Sequence, residues 1–186
     1  MGVSYTGLLH RNRQEIGMIT NKREIDHQNL VAHLEKSTAF KIRSSKLQIV
    51  QGWVHGVVEI SGAFNENIEV WNNGTLLLPC GPFGMRLSLT ELRDLGLTVA
   101  DCDHGIKTST LEKLGSNYYG FVRQKFNNFR SEIIVDPTGL IIKVLDNKNV
   151  FSTLYISSKN LYNLIDFHRE YISLSINMGL LDKTFP

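Results

Sequence analysis

"VWNNGTLLLPCGPFGMRLSLTELRDLG" (residues 70–96) holds a hairpin and a helix start in one run. Asn73-Gly74 lies between two β-prone stretches, and that dipeptide is the strongest short-range hairpin signal, because both residues tolerate positive φ. Further on, Ser88 stands three residues before Glu91. That spacing lets the serine oxygen and the glutamate carboxylate satisfy each other's orphan N–H groups, so it predicts a capped helix over 87–96 that ends at Gly96.

The same order returns about 65 residues later. "EIIVDPTGLIIKVLDNKNVFSTLYISSKNLYNLIDF" (132–167) reads as strand, Pro137-Thr138-Gly139 turn, apolar strand, then a strand entering a helix at a serine. That helix is expected over 158–179. Leu161, Leu164, Ile165, Ile172 and Ile176 form its apolar stripe, His168 and Ser175 interrupt the stripe, and Gly179 is the stop. The two runs therefore predict an internal repeat of ββ(β)βα type. Neither copy has enough apolar surface to stand alone, so the expected fold class is α+β, with antiparallel sheets packed against helices over one core. The other face of each sheet would meet solvent or a ligand.

Working outward, "FKIRSSKLQIV" (40–50) and "WVHGVVEI" (53–60) read as further strands. "REIDHQNLVAHLEK" (23–36) places Ile25, Leu30, Val31 and Leu34 near helical spacing and predicts a short helix. Residues 1–22 are polar without a clear period and read as an arm, and 97–117 reads as a loop. The expected organisation is an arm and short helix over 1–38, one domain over 39–179 with repeats at about 39–100 and 117–179, and a tail over 180–186.

Bulk properties exclude several classes. The chain has 186 residues, 42% of them apolar, too many for a disordered chain. No run approaches the ~18 apolar residues of a membrane span. No signal peptide is visible, and Cys80 and Cys102 give no disulfide framework, so an intracellular setting, cytoplasmic or nuclear, is expected. "DCDHG" (101–105) groups metal-capable residue types without a second cluster at ligand spacing, and reads as an acidic loop. No phosphate-binding glycine loop, nucleophile elbow or pair of catalytic carboxylates is present. The chain is read as non-enzymatic, without metal or cofactor.

Charge is uneven along it. Residues 1–50 carry eight cations against four acids, 51–118 four against eight, and 119–186 eight against six. That distribution permits a polyanion partner. "NYYGFVRQKFNNFR" (117–130) has five aromatic residues, three cations and no acid. As a strand it would place Tyr119, Phe121, Arg123 and Lys125 on one face. Rings and cations on one face suit single-stranded nucleic acid, whose bases stack while cations neutralise phosphate. The competing use is a buried strand with its cations at a wet edge. Lys41, Arg43 and Lys46 form a second basic set, and Arg130 and Lys143 are further phosphate candidates. Trp71 and Trp53 are further stacking candidates, each with a core role as its alternative.

Each repeat resembles the unit shared by Whirly proteins, the positive-cofactor type of transcriptional coactivator, kinetoplastid guide-RNA-binding proteins and purine-rich-element-binding proteins. The likeness rests on 70–96 and 133–167 and covers about 40–178. It implies a Whirly-like fold, single-stranded DNA or RNA laid over sheet faces, and a homo-oligomer, often a tetramer.

A second function class stays open. "MGVSYT" fits the N-myristoylation pattern, with Gly2 as acceptor and Thr6 in the hydroxyl place. One acyl chain binds membranes weakly, and Arg11, Arg13, Lys22 and Arg23 could supply a basic second signal. That reading is of a viral structural or accessory protein, matrix- or coat-like, at a membrane surface or in a virion.

Overall fold

The computed structural model describes residues 5–61, 67–80, 83–102, 109–114, 118–119, 129–146 and 149–181. The order is helix α1 (Tyr5–Ser37), strands β1 (Lys41–Val50), β2 (Trp53–Ser61), β3 (Ile68–Trp71), β4 (Thr75–Cys80) and β5 (Phe83–Ser88), then helix α2 (Leu89–Cys102). Strands β6 (Ser109–Leu114), β7 (Tyr118–Tyr119), β8 (Phe129–Asp136), β9 (Gly139–Asp146) and β10 (Asn149–Ser157) follow, and helix α3 (Ser158–Asn177) comes last. The fold is α+β. One antiparallel sheet has the order β1-β2-β3-β4-β5-β7, and a second has β10-β9-β8-β6.

Within these sheets β2-β3-β4-β5 form an antiparallel meander that runs straight into α2, and β6-β8-β9-β10 form another that runs into α3. The correspondence extends to individual atoms. Ser88 Oγ accepts from Glu91 N–H (3.1 Å) while Glu91 Oε1 accepts from Ser88 N–H (3.3 Å), which is the capping box expected from the sequence. Ser157 Oγ accepts from Asn160 N–H (3.2 Å) at the start of α3. The first amide of each helix then bonds the hairpin turn of its own repeat: Leu89 N–H to Gly74 O and Ser158 N–H to Thr138 O, both 2.9 Å. Each helix is thus fastened at its N-terminus to the tip of the preceding hairpin.

Both hairpin turns follow from their residues. Gly74 takes φ 99° and donates to Trp71 O, while Asn73 Oδ1 accepts from Thr75 N–H. Asp136 Oδ1 accepts from Thr138 N–H (2.8 Å), an Asx turn, and Gly139 sits at φ 147°. A Cβ on Gly139 would lie 2.1 Å from the Ile156 carbonyl oxygen, so no other residue fits there.

One core joins the layers. Leu30 and Leu34 of α1, Val58, Ile60, Ile68, Val70, Leu76, Leu78, Met85 and Leu87 of the first sheet, and Ile133, Val135, Leu140, Ile142 and Val144 of the second all pack in it, together with Leu92, Leu95 and Val99 of α2 and Leu161, Leu164 and Phe167 of α3. Most of these strand positions alternate with more exposed ones, giving each sheet a core face and an outer face, although Val57 and His55 of β2 and Leu145 of β9 are buried on the other side.

Several expectations are corrected. The stretch read as an arm is helical from Tyr5, continuous with the predicted short helix. Its residues lack an apolar period, but leucine, arginine, glutamate, methionine and lysine are good helix formers whatever they face. Farther along α1, Leu30 and Leu34 are buried as expected, but Ile25 is exposed and His27 takes the inward place. Helix α2 does not end at Gly96 but continues to Cys102. Gly96 is instead a close approach to α3, where a Cβ would lie 2.6 Å from Ile165 Cδ1. The stretch 97–117, read as a loop, contains the end of α2 and all of β6. On α3 the buried residues are Leu161, Leu164, Phe167, His168, Tyr171 and Ser175, whereas Ile176 is exposed, so the polar interruptions themselves face inward. Gly179, with φ 67°, does follow the helix end, and Leu180 N–H returns to Ser175 O. Among the described residues no helix is long and apolar enough to cross a membrane.

Candidate nucleic-acid interface

Register decides which of the candidate residues share a surface. Strand β1 pairs with β2 through Lys41↔Ser61, Ser44↔Glu59, Lys46↔Val57 and Val50↔Trp53. Strand β2 pairs with β3 through Val57↔Trp71 and Glu59↔Glu69, and the ladder continues through Glu69↔Leu77 and Leu77↔Arg86. These positions alternate with core residues Val58, Ile60, Ile68, Val70, Leu76 and Leu87, so they lie on the other, outer face of the first sheet, where Val57 and His55 are nonetheless buried. Lys41, Lys46, Trp53, Trp71 and Arg86 therefore share that face.

Arg43 sits at the bulge between Ile42 and Ser44, where β1 carries one extra residue. Lys41, Arg43 and Lys46 are exposed and have no ion-pair partner among the described residues. Trp71 is half-buried, and its indole N–H donates to Glu69 Oε1 at 2.6 Å. The imidazole of His55, also on this face, lies 5.9 Å from the Trp71 ring, centroid to centroid. Trp53 is 42% exposed beside the turn of the β1–β2 hairpin, opposite Val50. Gln51 and Gly52, both at positive φ, make that two-residue turn.

Tyr119 joins this sheet. It was expected on the first strand of the second repeat, but β7 pairs with β5, with Tyr119 opposite Gly84. The second repeat begins instead with β6, which pairs with β8. Phe121, Arg123 and Lys125 lie outside the described residues, as do Gly2 and Asp103–Gly105 of the acidic stretch. Among the described residues no three metal-capable side chains gather at ligand distance.

Arg130 and Lys143 are not with this group. They lie on the outer face of the second sheet, in the rows Leu114–Arg130–Leu145 and Glu112–Glu132–Lys143–Thr153. Arg130 reaches Glu112 and Glu132, each at 4.0 Å, and Lys143 is the cross-strand neighbour of Glu132. The candidate set thus divides into a basic group without ion-pair partners among the described residues, on the sheet that carries Trp71 and Trp53, and a group already facing carboxylates.

A buried polar seam runs beneath Trp71, and single-residue patterns did not reveal it. His168 Nε2–H donates to the Trp71 carbonyl (3.1 Å), tying α3 to the end of β3. Nearby, His27 of α1 and the phenol of Tyr171 of α3 share a 2.6 Å hydrogen bond over Gly56 of β2. A Cβ on Gly56 would fall 2.6 Å from both bonded atoms, so glycine is what lets the helices close on the strand. Gly56 N–H donates to Asn72 Oδ1 and Asn72 N–H to Gly56 O, which fixes the strand beside the turn. Burial lowers both His27 and His168 to about 4 and raises the Tyr171 phenol, so all three are neutral near pH 7. The signal for this seam in the sequence was the interruption of the α3 stripe at His168 and Ser175.

Comparison with family models, curated proteins and solved structures found no match to this chain.

Proposed function

We propose that the chain is a non-enzymatic binder of single-stranded DNA or RNA, and that the strand lies across the outer face of the first sheet. The observation that carries this reading is the register itself: it sets Trp71 in one row with Lys46, and sets Trp53, Lys41 and Arg86 on the same face. Every base has a π-face, so tryptophans can stack a strand without regard to sequence at about 1–3 kcal/mol per base. Lys41 and Lys46 follow β1 along one side of that face, with Arg43 at the bulge between them, and suit the phosphate backbone, because cations without an ion-pair partner among the described residues release counterions on binding. The two ββββα units fit the Whirly-type resemblance, in which nucleic acid crosses sheet faces. A homo-oligomer, also implied by that resemblance, would set several such faces side by side.

Binding of a single-stranded oligonucleotide as a function of salt tests the reading. About three or four phosphate contacts should give a slope of log K against log[salt] near −2 to −3, at about −0.7 per contact. Weak, salt-independent binding would sink it. The particle mass with and without oligonucleotide tests the oligomer.

A further inference from the structure

Two carboxylates stand in the middle of the same face, and they oppose each other. Glu59 and Glu69 are direct cross-strand partners, and like charges in that relation repel. Neither has an ion-pair partner among the described residues, although cations line β1 and Arg86 stands two strands from Glu69. They open into a cleft of about 220 Å³ walled by Asn67, Leu77, Pro79 and Gly84. That volume is below the roughly 300–1,000 Å³ of pockets that hold drug-sized ligands, and suits one planar base. The cleft depends on Gly84, where a Cβ would meet Leu77 at 3.0 Å. Tyr119 is the register partner of Gly84 at its border.

We propose that this cleft reads the exocyclic amino group of a nucleobase, with Glu59 and the free oxygen of Glu69 as acceptors and Asn67 as the complementary amide. The inference rests on the reading of this face as a single-strand binding surface. Phosphates are repelled from the paired carboxylates, so a strand crossing here must turn its bases toward them. Carboxylates only accept hydrogen bonds. Cytosine, adenine and guanine each offer an N–H₂ group, and glutamate accepting from cytosine N4 is a known pairing of this kind. Uracil and thymine put a carbonyl oxygen where cytosine has its amine, and two acceptors cannot pair. Asn67 supplies the donors that the ring nitrogen or the carbonyl of the base requires. The indole N–H of Trp71 occupies one oxygen of Glu69, which holds that carboxylate in place and leaves its other oxygen available.

The test uses the full chain and fluorescence anisotropy at neutral pH. The probes are oligodeoxycytidine and oligodeoxyuridine of equal length, plus an alternating guanine–thymine strand and the same strand with inosine for guanine. The cytidine probe should bind at least about 5-fold tighter than the uridine probe, and guanine tighter than inosine, which lacks only the amine. Glu59→Gln should bring both ratios close to one, because an amide can donate to the carbonyl as well as accept from the amine. It should also tighten uridine binding by removing a negative charge, an outcome that a merely structural role for Glu59 does not produce. Equal affinity of wild type for cytidine and uridine probes, or a Glu59→Gln variant that keeps the ratio, overturns the inference and leaves single-strand binding standing. No binding of any probe overturns the parent reading, and this one with it.

Discussion

The outer faces of the two sheets are built on the same meander and end in different chemistry. The first carries two tryptophans, Lys41, Lys46 and Arg86 together with a carboxylate cleft, and its β1 cations have no ion-pair partner among the described residues. In the second, Ile134, Ile141 and Tyr155 fill one row, and Arg130 and Lys143 stand beside Glu112 and Glu132. The undersides differ too. The first sheet rests partly on His27, Tyr171 and His168, whereas the core positions of β8 and β9 are apolar apart from Ser131. Repetition supplies the scaffold, and the additions peculiar to one copy (α1, β1 and β7) give its sheet a distinct surface and a distinct support.

The largest expected effect comes from that support. His27 and His168 hold values of about 4 where the ordinary histidine value is 6.5. The unfolded chain takes up protons below pH 6.5 that the folded chain refuses. Stability from this source is therefore complete above about pH 6.5 and is lost as pH falls towards 4, by about 3 kcal/mol for each histidine. Urea unfolding across that range should show midpoints falling with pH, and His27→Gln should flatten the fall by roughly half. An unchanged profile in the variant would remove His27 from the seam's energetics. His168 belongs to the second repeat by sequence but, like His27, packs under the first sheet, so the histidine part of the acid sensitivity belongs to the support of that sheet.

Next in size is stacking on the first face. Trp71→Ala should weaken oligonucleotide binding by roughly 5- to 150-fold, the equivalent of one stacked base. Trp71→Phe should keep most of the affinity, because a ring remains. Anisotropy titrations measure both, with the thermal midpoint of each variant as the control for the lost hydrogen bond to Glu69. Tyr155→Ala on the second face should leave affinity unchanged, and if it matched Trp71→Ala the two faces would not differ in the way proposed.

Much of the scaffold was legible because its signals are local. The Asn73-Gly74 turn, the Ser88/Glu91 box and the stop at Gly179 are each set by residues within a few positions. What could not be read depends on distant partners. "STLEKL" (109–114) has little β alternation, and its strand character comes with its antiparallel pairing to β8, about 20 residues on in the sequence. Gly96 has the composition of a helix end, and its use as a crossing point depends on Ile165 in another helix. The candidate site was legible in kind and not in arrangement. Alternation alone places Lys41 and Arg43 on one face, but the bulge at Arg43 shifts the register, so Lys41 and Lys46 share the outer face instead. Nothing local to Arg130 or Lys143 reveals that a different sheet carries them.

The smallest effects complete the comparison. A Lys41→Ala, Lys46→Ala double variant should lower the salt slope by about 1.4, at about 0.7 per phosphate contact. An Arg130→Ala, Lys143→Ala double variant removes the same formal charge from the other sheet. Because Arg130 already lies 4.0 Å from two carboxylates and Lys143 is paired in register with one of them, little counterion release is lost with these two residues. The slope should stay within about 0.3 of wild type, and stability should change by less than about 1 kcal/mol, as for exposed ion pairs generally. Equal slopes for the two double variants would mean that net charge, rather than the arrangement on the first face, governs binding. A large fall confined to the first pair ties the interaction to the outer face of β1 and β2.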